Sequence, residues 1–194
     1  LGSLHAQLAG RFPEELQIEG GGEVAQYDIA PIALAVLKGV LSFALGETVN
    51  YVNAPLIAQE RGVKVIQSKS ELTRNFASYI KVRTRTRDEE LEIEGALFGT
   101  NNPRIVRIND FYFEAVPEGH ILVSYNHDVP GVVGAMGALL GDNGINIAVV
   151  NTDNQSLPRT SWGHIHRVVA SACTWELHPF RGQYNVEFSA PKHL

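Results

Sequence analysis

Hydrophobic and polar residues alternate along the first part of the chain with the periods of strands and helices. The segment LQIEG at residues 16–20 alternates at every second position, and the three glycines at residues 20–22 interrupt it. Further along, Asn53 is a good N-cap, Pro55 suits a first helical turn and Gly62 is a good stop. These signals predict a strand followed, after a longer helix, by a short helix over residues 54–61.

The most apolar stretch, residues 29–46, carries a single charge at Lys38. Pro31 suits the first turn of a helix, Gly39 interrupts the middle and Gly46 is a natural stop. Because a membrane span needs about 20 consecutive apolar residues, we expect a buried core helix that is apolar on two sides. Those sides carry Ile32, Val36, Val40 and Phe43, and Leu34, Leu37 and Leu41.

Charged residues alternate with apolar ones on both sides of a turn centred on residues 88–89. The turn sets Arg85 opposite Glu92 and Arg83 opposite Glu94, and opposite charges in facing positions stabilise a pair of strands. This basic run is therefore balanced by its partner strand. We interpret it as the solvated face of a hairpin and not as a nucleic-acid surface.

A second hairpin and a β-α-β segment follow the first hairpin. A second hairpin turns at Asn109 and Asp110 and places Arg107 opposite Tyr112. A β-α-β unit then starts after a short linker at residues 117–119. Its predicted elements are a strand over residues 120–126, a helix over residues 130–140 with an apolar stripe, and a strand over residues 145–150.

Composition narrows the class of protein. The net charge of −5 and the pI near 5.8 disfavour binding to a polyanion, so we expect no nucleic-acid partner and no membrane association. The single cysteine, Cys173, cannot form an internal disulfide, which favours a reducing cytoplasm. The chain opens with Leu1 inside a helical pattern, and we expect it to be a fragment of a longer protein.

Three motifs in order resemble the intervening, allosteric substrate-binding domain of the long-form D-3-phosphoglycerate dehydrogenases. They are YVNAPLIAQERGV at residues 51–63, EGALFG at residues 94–99 and PRIVRIN at residues 103–109. The segments HDVPGVVG and GINI, at residues 127–134 and 144–147, then resemble the opening strand-helix-strand of an ACT domain. The resemblance covers about residues 1–150.

The resemblance implies a parent enzyme that is a homo-oligomer and oxidises 3-phosphoglycerate with NAD in serine biosynthesis. This chain has no G-x-G-x-x-G after a strand, and Gly131, Gly134 and Gly137 have helical spacing. The family's NAD-binding and catalytic domains are thus absent here. We expect no catalytic residue, no cofactor and no metal in this chain.

The short helix that begins after Asn53 is the predicted anion site of the first domain. Free N–H groups at a helix start attract phosphate or carboxylate, and a guanidinium such as that of Arg104 holds oxyanions in a bidentate manner. The resemblance implies that Asn53, Ala54 and Arg104 bind a small anionic effector, with the arginine contributed across a subunit contact. The alternative is that Asn53 is a simple helix cap.

The ACT-like unit carries a second predicted ligand site. Asn126 and Asp128 end one strand beside the next helix, and Asn146 lies on the neighbouring strand. A carboxylate can bind the ammonium group of an amino acid, and amides can bind its carboxylate. The resemblance implies that these three residues bind serine between paired ACT domains. The alternative is that they are turn and cap residues.

Composition changes abruptly after residue 150. Residues 151–194 hold both tryptophans, the sole cysteine and four of the seven histidines, but only three of the 21 acidic residues. Strands are predicted at residues 167–173 and 184–188, without an amphipathic helix between them. A metal site built from His164, His166, Cys173 and His178 is disfavoured because the spacing alone is a weak signal.

We therefore expect an α/β (α+β) protein. Its mixed-sheet regulatory domain spans residues 1–118, an incomplete ferredoxin-like ACT domain spans residues 119–150, and an atypical tail follows. The function would be to bind serine and an anionic effector. The alternatives are the β-type regulatory portion of an iron–sulfur L-serine dehydratase and a free-standing amino-acid-sensing module.

The break in composition predicts that the reading frame slips near residues 148–151. A segment translated in the wrong phase carries no selected pattern of apolar and polar residues. Translation of the downstream DNA in the other two phases should then yield a strand, an amphipathic helix and a final strand. If neither phase does so, the tail is authentic.

Overall fold

The computed structural model describes residues 1–71, 76–86, 90–99, 101–127, 130–152, 165–173 and 186–189. The chain divides into two compact units, Leu1–Glu114 and Ala115–Leu194. Each unit combines a β-sheet with α-helices. The predicted α/β class is thereby confirmed.

The first unit is built on a mixed sheet of six strands. Its elements are α1 (Gly2–Ala9), β1 (Glu15–Gly22), α2 (Ala30–Leu45), α3 (Ala54–Glu60), β2 (Lys64–Ser70), β3 (Ser78–Arg85), β4 (Glu90–Phe98), β5 (Asn102–Ile108) and β6 (Phe111–Ala115). The strands lie in the order β2-β1-β3-β4-β5-β6. β2 runs parallel to β1, whereas β1 and β3 are antiparallel, as are β3 and β4 and also β4 and β5.

The apolar face of α2 forms the core of this unit with the strands beneath it. Leu16 and Ile18 of β1 and Val82 of β3 are fully buried and lie in one cluster with five residues of α2. Those five are Ala33, Val36, Leu37, Val40 and Leu41. By length and composition alone, Ala30–Thr48 could cross a membrane, but its most apolar face is occupied by this core. The predicted core helix is confirmed, except that Phe43 is 46% exposed.

Gly39 does not interrupt α2 and instead allows α1 to cross it closely. A Cβ atom at Gly39 would lie 2.9 Å from the backbone nitrogen of Ser3, and one at Gly2 would lie 2.2 Å from the carbonyl oxygen of Val36. Any side chain at either position would separate the two helices. The prediction that Gly39 interrupts the helix is wrong, and Gly39 is instead the position where α1 packs on α2.

The register of the β3–β4 hairpin differs from the predicted one by two residues. Arg83 faces Glu92 and Lys81 faces Glu94, so the pairing that set Arg85 opposite Glu92 is wrong. Because side chains alternate with a period of two, a shift of two residues keeps every charge on the same face. The alternating charges therefore identified the face correctly but could not fix the register.

The second hairpin turns where the sequence predicts. β5 ends at Ile108, β6 begins at Phe111, and Asn109 between them has a φ of 51°. The Arg107 guanidinium donates to the Tyr112 hydroxyl over 3.3 Å and lies over its ring. The predicted turn and the Arg107–Tyr112 neighbourhood are confirmed.

The second unit contains an antiparallel sheet of four strands. Its elements are β7 (His120–His127), α4 (Val132–Asp142), β8 (Asn146–Thr152), β9 (Ile165–Cys173) and β10 (Val186–Ser189), and the order is β10-β7-β9-β8. β9 separates β7 from β8, so the β-α-β unit is split as in ferredoxin-like sheets. β9 and β10 lie where the tail was predicted to contain strands.

Helix α4 is held to its sheet by few buried side chains. Leu140 is its one fully buried residue and contacts Leu122 of β7, with Met136 half-buried beside them. Val133 and Leu139, also in the predicted apolar stripe, are 46% and 37% exposed. The stripe thus exists, but only Leu140 is fully covered, with Val132 and Met136 half-buried.

A buried histidine joins α1 to the sheet of the first unit. His5 is 1% exposed, its Nε2 lies 2.9 Å from the Leu91 carbonyl oxygen, and its Nδ1 lies 3.3 Å from the Thr84 hydroxyl. Burial lowers the pKa of His5 from 6.5 to about 4, because the charged imidazolium would lose its hydration. Folding therefore favours the neutral ring.

We predict that the first unit loses stability as the pH falls below 6.5, the pKa of His5 in the unfolded chain. The contribution of His5 to the free energy of unfolding is fully present above pH 6.5 and declines as the pH falls toward about 4, the pKa of His5 in the folded chain. The decline is about 2 kcal/mol between about pH 7 and about pH 5. Urea unfolding at several pH values measures it. The His5→Gln variant cannot titrate and should lose this pH dependence, and an equal decline in that variant would assign the effect elsewhere.

Candidate functional site

Two asparagines, Asn50 and Asn53, hold the start of α3 through hydrogen bonds to the preceding turn, and we call this pair the asparagine clamp. The side-chain oxygen of Asn53 accepts from the Asn50 N–H over 2.7 Å, and its amide donates to the Thr48 carbonyl over 2.8 Å. The Asn50 side-chain oxygen in turn accepts from the N–H groups of Val52 and Asn53. Asn53 is the N-cap residue of α3, as predicted, and its carbonyl accepts from the Ile57 N–H, but its side chain makes no capping bond to the helix.

The backbone conformation of Asn53 explains this difference. A side chain that caps a helix usually starts from an extended residue, but Asn53 has φ −93° and ψ −15°, which is helical. The N–H of Ala54 is also satisfied already, because it donates to the Asn50 carbonyl over 3.0 Å. Pro55 has no N–H to offer. The helix start therefore offers fewer free donors to an anion than its sequence indicates.

Arg104 lies far from α3 within one chain. It is half-buried on β5, opposite Ala96, and donates to the Pro103 carbonyl over 2.9 Å. α3 leads into β2, and four strand spacings separate β2 from β5, or about 19 Å at roughly 4.8 Å per strand. One chain therefore does not bring Asn53, Ala54 and Arg104 around a common small anion.

Acidic and basic side chains form a ladder on the face of the sheet opposite α2. Arg83 pairs with Glu92 and with Glu90, and Arg107 forms an ion pair with Glu92 and lies 3.8 Å from Glu94. Glu92 and Glu94 are buried. The pairing of Arg107 with Glu92 was not predicted, because it depends on the β4–β5 register, which sets Arg107 opposite Glu94. The ladder neutralises the basic run, as predicted, but the prediction that this face is solvated is wrong, because Glu92 and Glu94 are buried.

A second set of ion pairs fixes the edge of this ladder at Glu15. Its carboxylate accepts from Gln17 over 2.6 Å and from Lys64 over 3.1 Å, and Arg85 lies 3.3 Å away. These hydrogen bonds and charges lower the pKa of Glu15. The parallel strand β2 is thereby tied through Lys64 to the middle of the sheet.

Two of the residues predicted to bind serine, Asn126 and Asn146, lie at opposite ends of the sheet of the second unit. Asn126, near the end of β7, pairs with His166, whereas Asn146, at the start of β8, pairs with Cys173. Their partners on β9, His166 and Cys173, are seven residues apart, which is about 23 Å at roughly 3.3 Å per residue. The prediction that Asn146 lies on the strand next to β7 is wrong because β9 intervenes, and Asp128 lies outside the described residues.

In the part of the chain that the structure describes, no three His, Cys, Asp or Glu side chains are grouped so that they could hold a metal ion. Of the four residues weighed as a metal set, His164 and His178 lie outside that part. His166 and Cys173 are on the same strand, β9, at opposite ends of its paired region.

The first unit is thus an α/β module in which helices cover one face of a mixed sheet and an ion-pair ladder occupies the other. Its sequence matches the intervening domain of D-3-phosphoglycerate dehydrogenase over residues 1–109, and the chain belongs to this family.

Relatives that match the chain are D-3-phosphoglycerate dehydrogenases from bacteria and archaea. The protein of Synechocystis sp. is 36% identical over 149 residues, which is 76% of this chain and 27% of the relative. The proteins of Archaeoglobus fulgidus and Mycobacterium tuberculosis are 32% and 34% identical over 76% of this chain, and each match covers 28% of the relative. The chain therefore spans little more than a quarter of these relatives.

The asparagine clamp predicts a specific effect of Asn53→Asp. A helix cap would tolerate aspartate, since both residues cap well. The clamp would not, because the donor to Thr48 is replaced by a carboxylate that faces the same carbonyl oxygen. We expect a loss of about 1 kcal/mol in the free energy of unfolding, measured with urea. Asn101→Asp in an exposed turn is the control, and equal stability of the two variants would contradict the clamp.

Proposed function

We propose that this chain acts as the regulatory portion of a D-3-phosphoglycerate dehydrogenase and has no active site of its own. The match of residues 1–109 to the intervening domain of that enzyme carries the proposal. The parent enzyme would oxidise 3-phosphoglycerate with NAD in the cytoplasm, as a step of serine biosynthesis. The names of the relatives favour this assignment over an iron–sulfur serine dehydratase and over a free-standing sensing module.

The second unit would bind serine through Asn126, Asp128 and Asn146 of two copies of the chain. The distance of about 23 Å between the strand levels of Asn126 and Asn146, at roughly 3.3 Å per residue, exceeds the length of an amino acid several times. A single copy therefore offers two half-sites. A homo-oligomer in which one copy supplies Asn126 and Asp128 and its partner supplies Asn146 would complete the site.

The first unit would bind a small phosphorylated or carboxylate effector in a site that is also completed by two copies of the chain. Asn53 and Ala54 lie at the start of α3, and Arg104 lies four strands away, so its guanidinium would meet an anion bound at the α3 of another copy. The few free donors at the start of α3 make Arg104 the main source of affinity. Guanidinium groups bind oxyanions with two parallel hydrogen bonds, which a helix start with few donors cannot replace.

We predict that the purified chain neither binds NAD nor oxidises 3-phosphoglycerate. It lacks a glycine-rich phosphate loop after a strand, and none of its histidines has a catalytic context in the sequence. Fluorescence of added NADH and absorbance after addition of NAD with 3-phosphoglycerate measure the two properties. Nicotinamide reduction above the level of a buffer control would overturn the proposal that the chain is purely regulatory.

We predict that the chain binds L-serine and that Asp128→Ala weakens this binding by about 1.5–3 kcal/mol, as expected for a charge-assisted hydrogen bond. Calorimetry measures the affinity. Asp142→Ala is the matched control, because Asp142 is an exposed aspartate at the end of α4 in the same unit.

Serine should also increase the fraction of dimer in sedimentation equilibrium, since two copies form the site. Unchanged affinity in Asp128→Ala would mean that Asp128 is only a turn residue. Binding of serine to a chain that remains monomeric would contradict the shared site, but would leave the assignment to the dehydrogenase untouched.

A further inference from the structure

The turn between α4 and β8 contains the one Asn–Gly step of the sequence, Asn143–Gly144. Asparagine followed by glycine is chemically labile, because the next backbone nitrogen can attack the side-chain amide and glycine has no side chain to hinder it. Asn143 and Gly144 are both exposed, at the point where α4 ends. Their chemistry is independent of the proposed binding of serine.

We propose that Asn143 is a site of spontaneous deamidation and isomerisation in this protein. The Gly144 nitrogen forms a bond to Asn143 Cγ, the bond from Cγ to Nδ2 breaks, and the Gly144 N–H proton leaves with the amide nitrogen as ammonia. Water then opens the resulting five-membered succinimide at either carbonyl. The products are an aspartate and an isoaspartate, in which the backbone continues through the former side chain.

The closed turn opposes this reaction through specific hydrogen bonds. The Gly144 N–H donates to the Gly141 carbonyl over 2.9 Å, and the Asn143 side-chain amide donates to the Leu139 carbonyl over 2.8 Å. The ψ of 14° at Asn143 also belongs to a helix end. Because the attacking nitrogen and the leaving amide are both engaged, the reaction needs the last turn of α4 to open.

The packing of α4 makes this opening easy. Leu140 is the one fully buried side chain of the helix, and its carbonyl accepts from the N–H groups of Asn143 and Ile145. Leu139, beside it, is 37% exposed. Because Leu140 alone is fully buried at this end of the helix, opening the last turn costs little free energy and the reactive conformation is populated.

Deamidation would change the structure at the site where it occurs. The new carboxylate cannot donate to the Leu139 carbonyl, and it lies at the negative end of the α4 dipole, where a negative charge is unfavourable. Isoaspartate also adds a backbone atom three residues before Asn146. The modified chain should therefore have a frayed α4 and a displaced start of β8.

The experiment incubates the full chain in mildly alkaline buffer made with heavy-oxygen water, followed by peptide mapping by mass spectrometry. Ring opening incorporates one heavy oxygen at Asn143, and labelling with an isoaspartyl methyltransferase counts the isoaspartate. We expect Asn143 to react several-fold faster than Asn101 and Asn109, which have no following glycine. Asn143→Gln should remove the heavy oxygen from this peptide, because its longer side chain has one more rotatable bond and closes a six-membered ring far more slowly.

Leu140→Ala tests the link to helix opening and should accelerate the reaction at Asn143 without changing Asn101. The same incubation of the wild-type chain in urea gives the rate of the fully open turn. This measurement replaces the Leu140→Ala test if that variant does not fold. A chain whose Asn143 stays intact in buffer while it reacts in urea would overturn the proposal. Equal rates at Asn143 and Asn101 would overturn it as well.

Discussion

The first unit depends on the burial of the apolar face of α2 against the centre of the mixed sheet. Leu16, Ile18 and Val82 from two strands are fully buried beneath this helix, and each buried aliphatic side chain contributes roughly 1.5–3 kcal/mol. α1 then packs on α2 through the contact at Gly39 and reaches the sheet through His5. Because these layers share the same helix, a change in the position of α2 would move all of them.

The opposite face of the sheet follows a different physical rule. Glu92 and Glu94 on this face carry charge and are nevertheless buried, so each must be paired. Acidic residues of β1 and β4 alternate with basic residues of β3 and β5, and Glu92 contacts arginines from both neighbours. The ladder adds little to stability, since ion pairs regain little beyond the cost of removing water.

The two predicted ligand sites share a property that neither sequence segment indicates alone. In each unit the implicated residues lie far apart: at α3 and on β5 in the first, and at opposite ends of the sheet, on β7 and β8, in the second. If each site is shared between two copies, as we propose, ligand binding would depend on assembly, because the ligand would contact two copies at once. Regulation by a small molecule would then be a change in the contacts between subunits.

The sequence by itself determined the elements whose signals are local. The limits of α2 and α3, the turn at Asn109 and the strands of the tail follow from periodicity and from residues that start or stop helices. Only the tertiary structure decided the hairpin register, the position of β9 between β7 and β8, the clamp made by Asn53 and the role of Gly39 as a contact. These features depend on pairing and packing between residues distant in the chain, and a local pattern stays the same when a strand shifts by two residues or when a third strand inserts between two others.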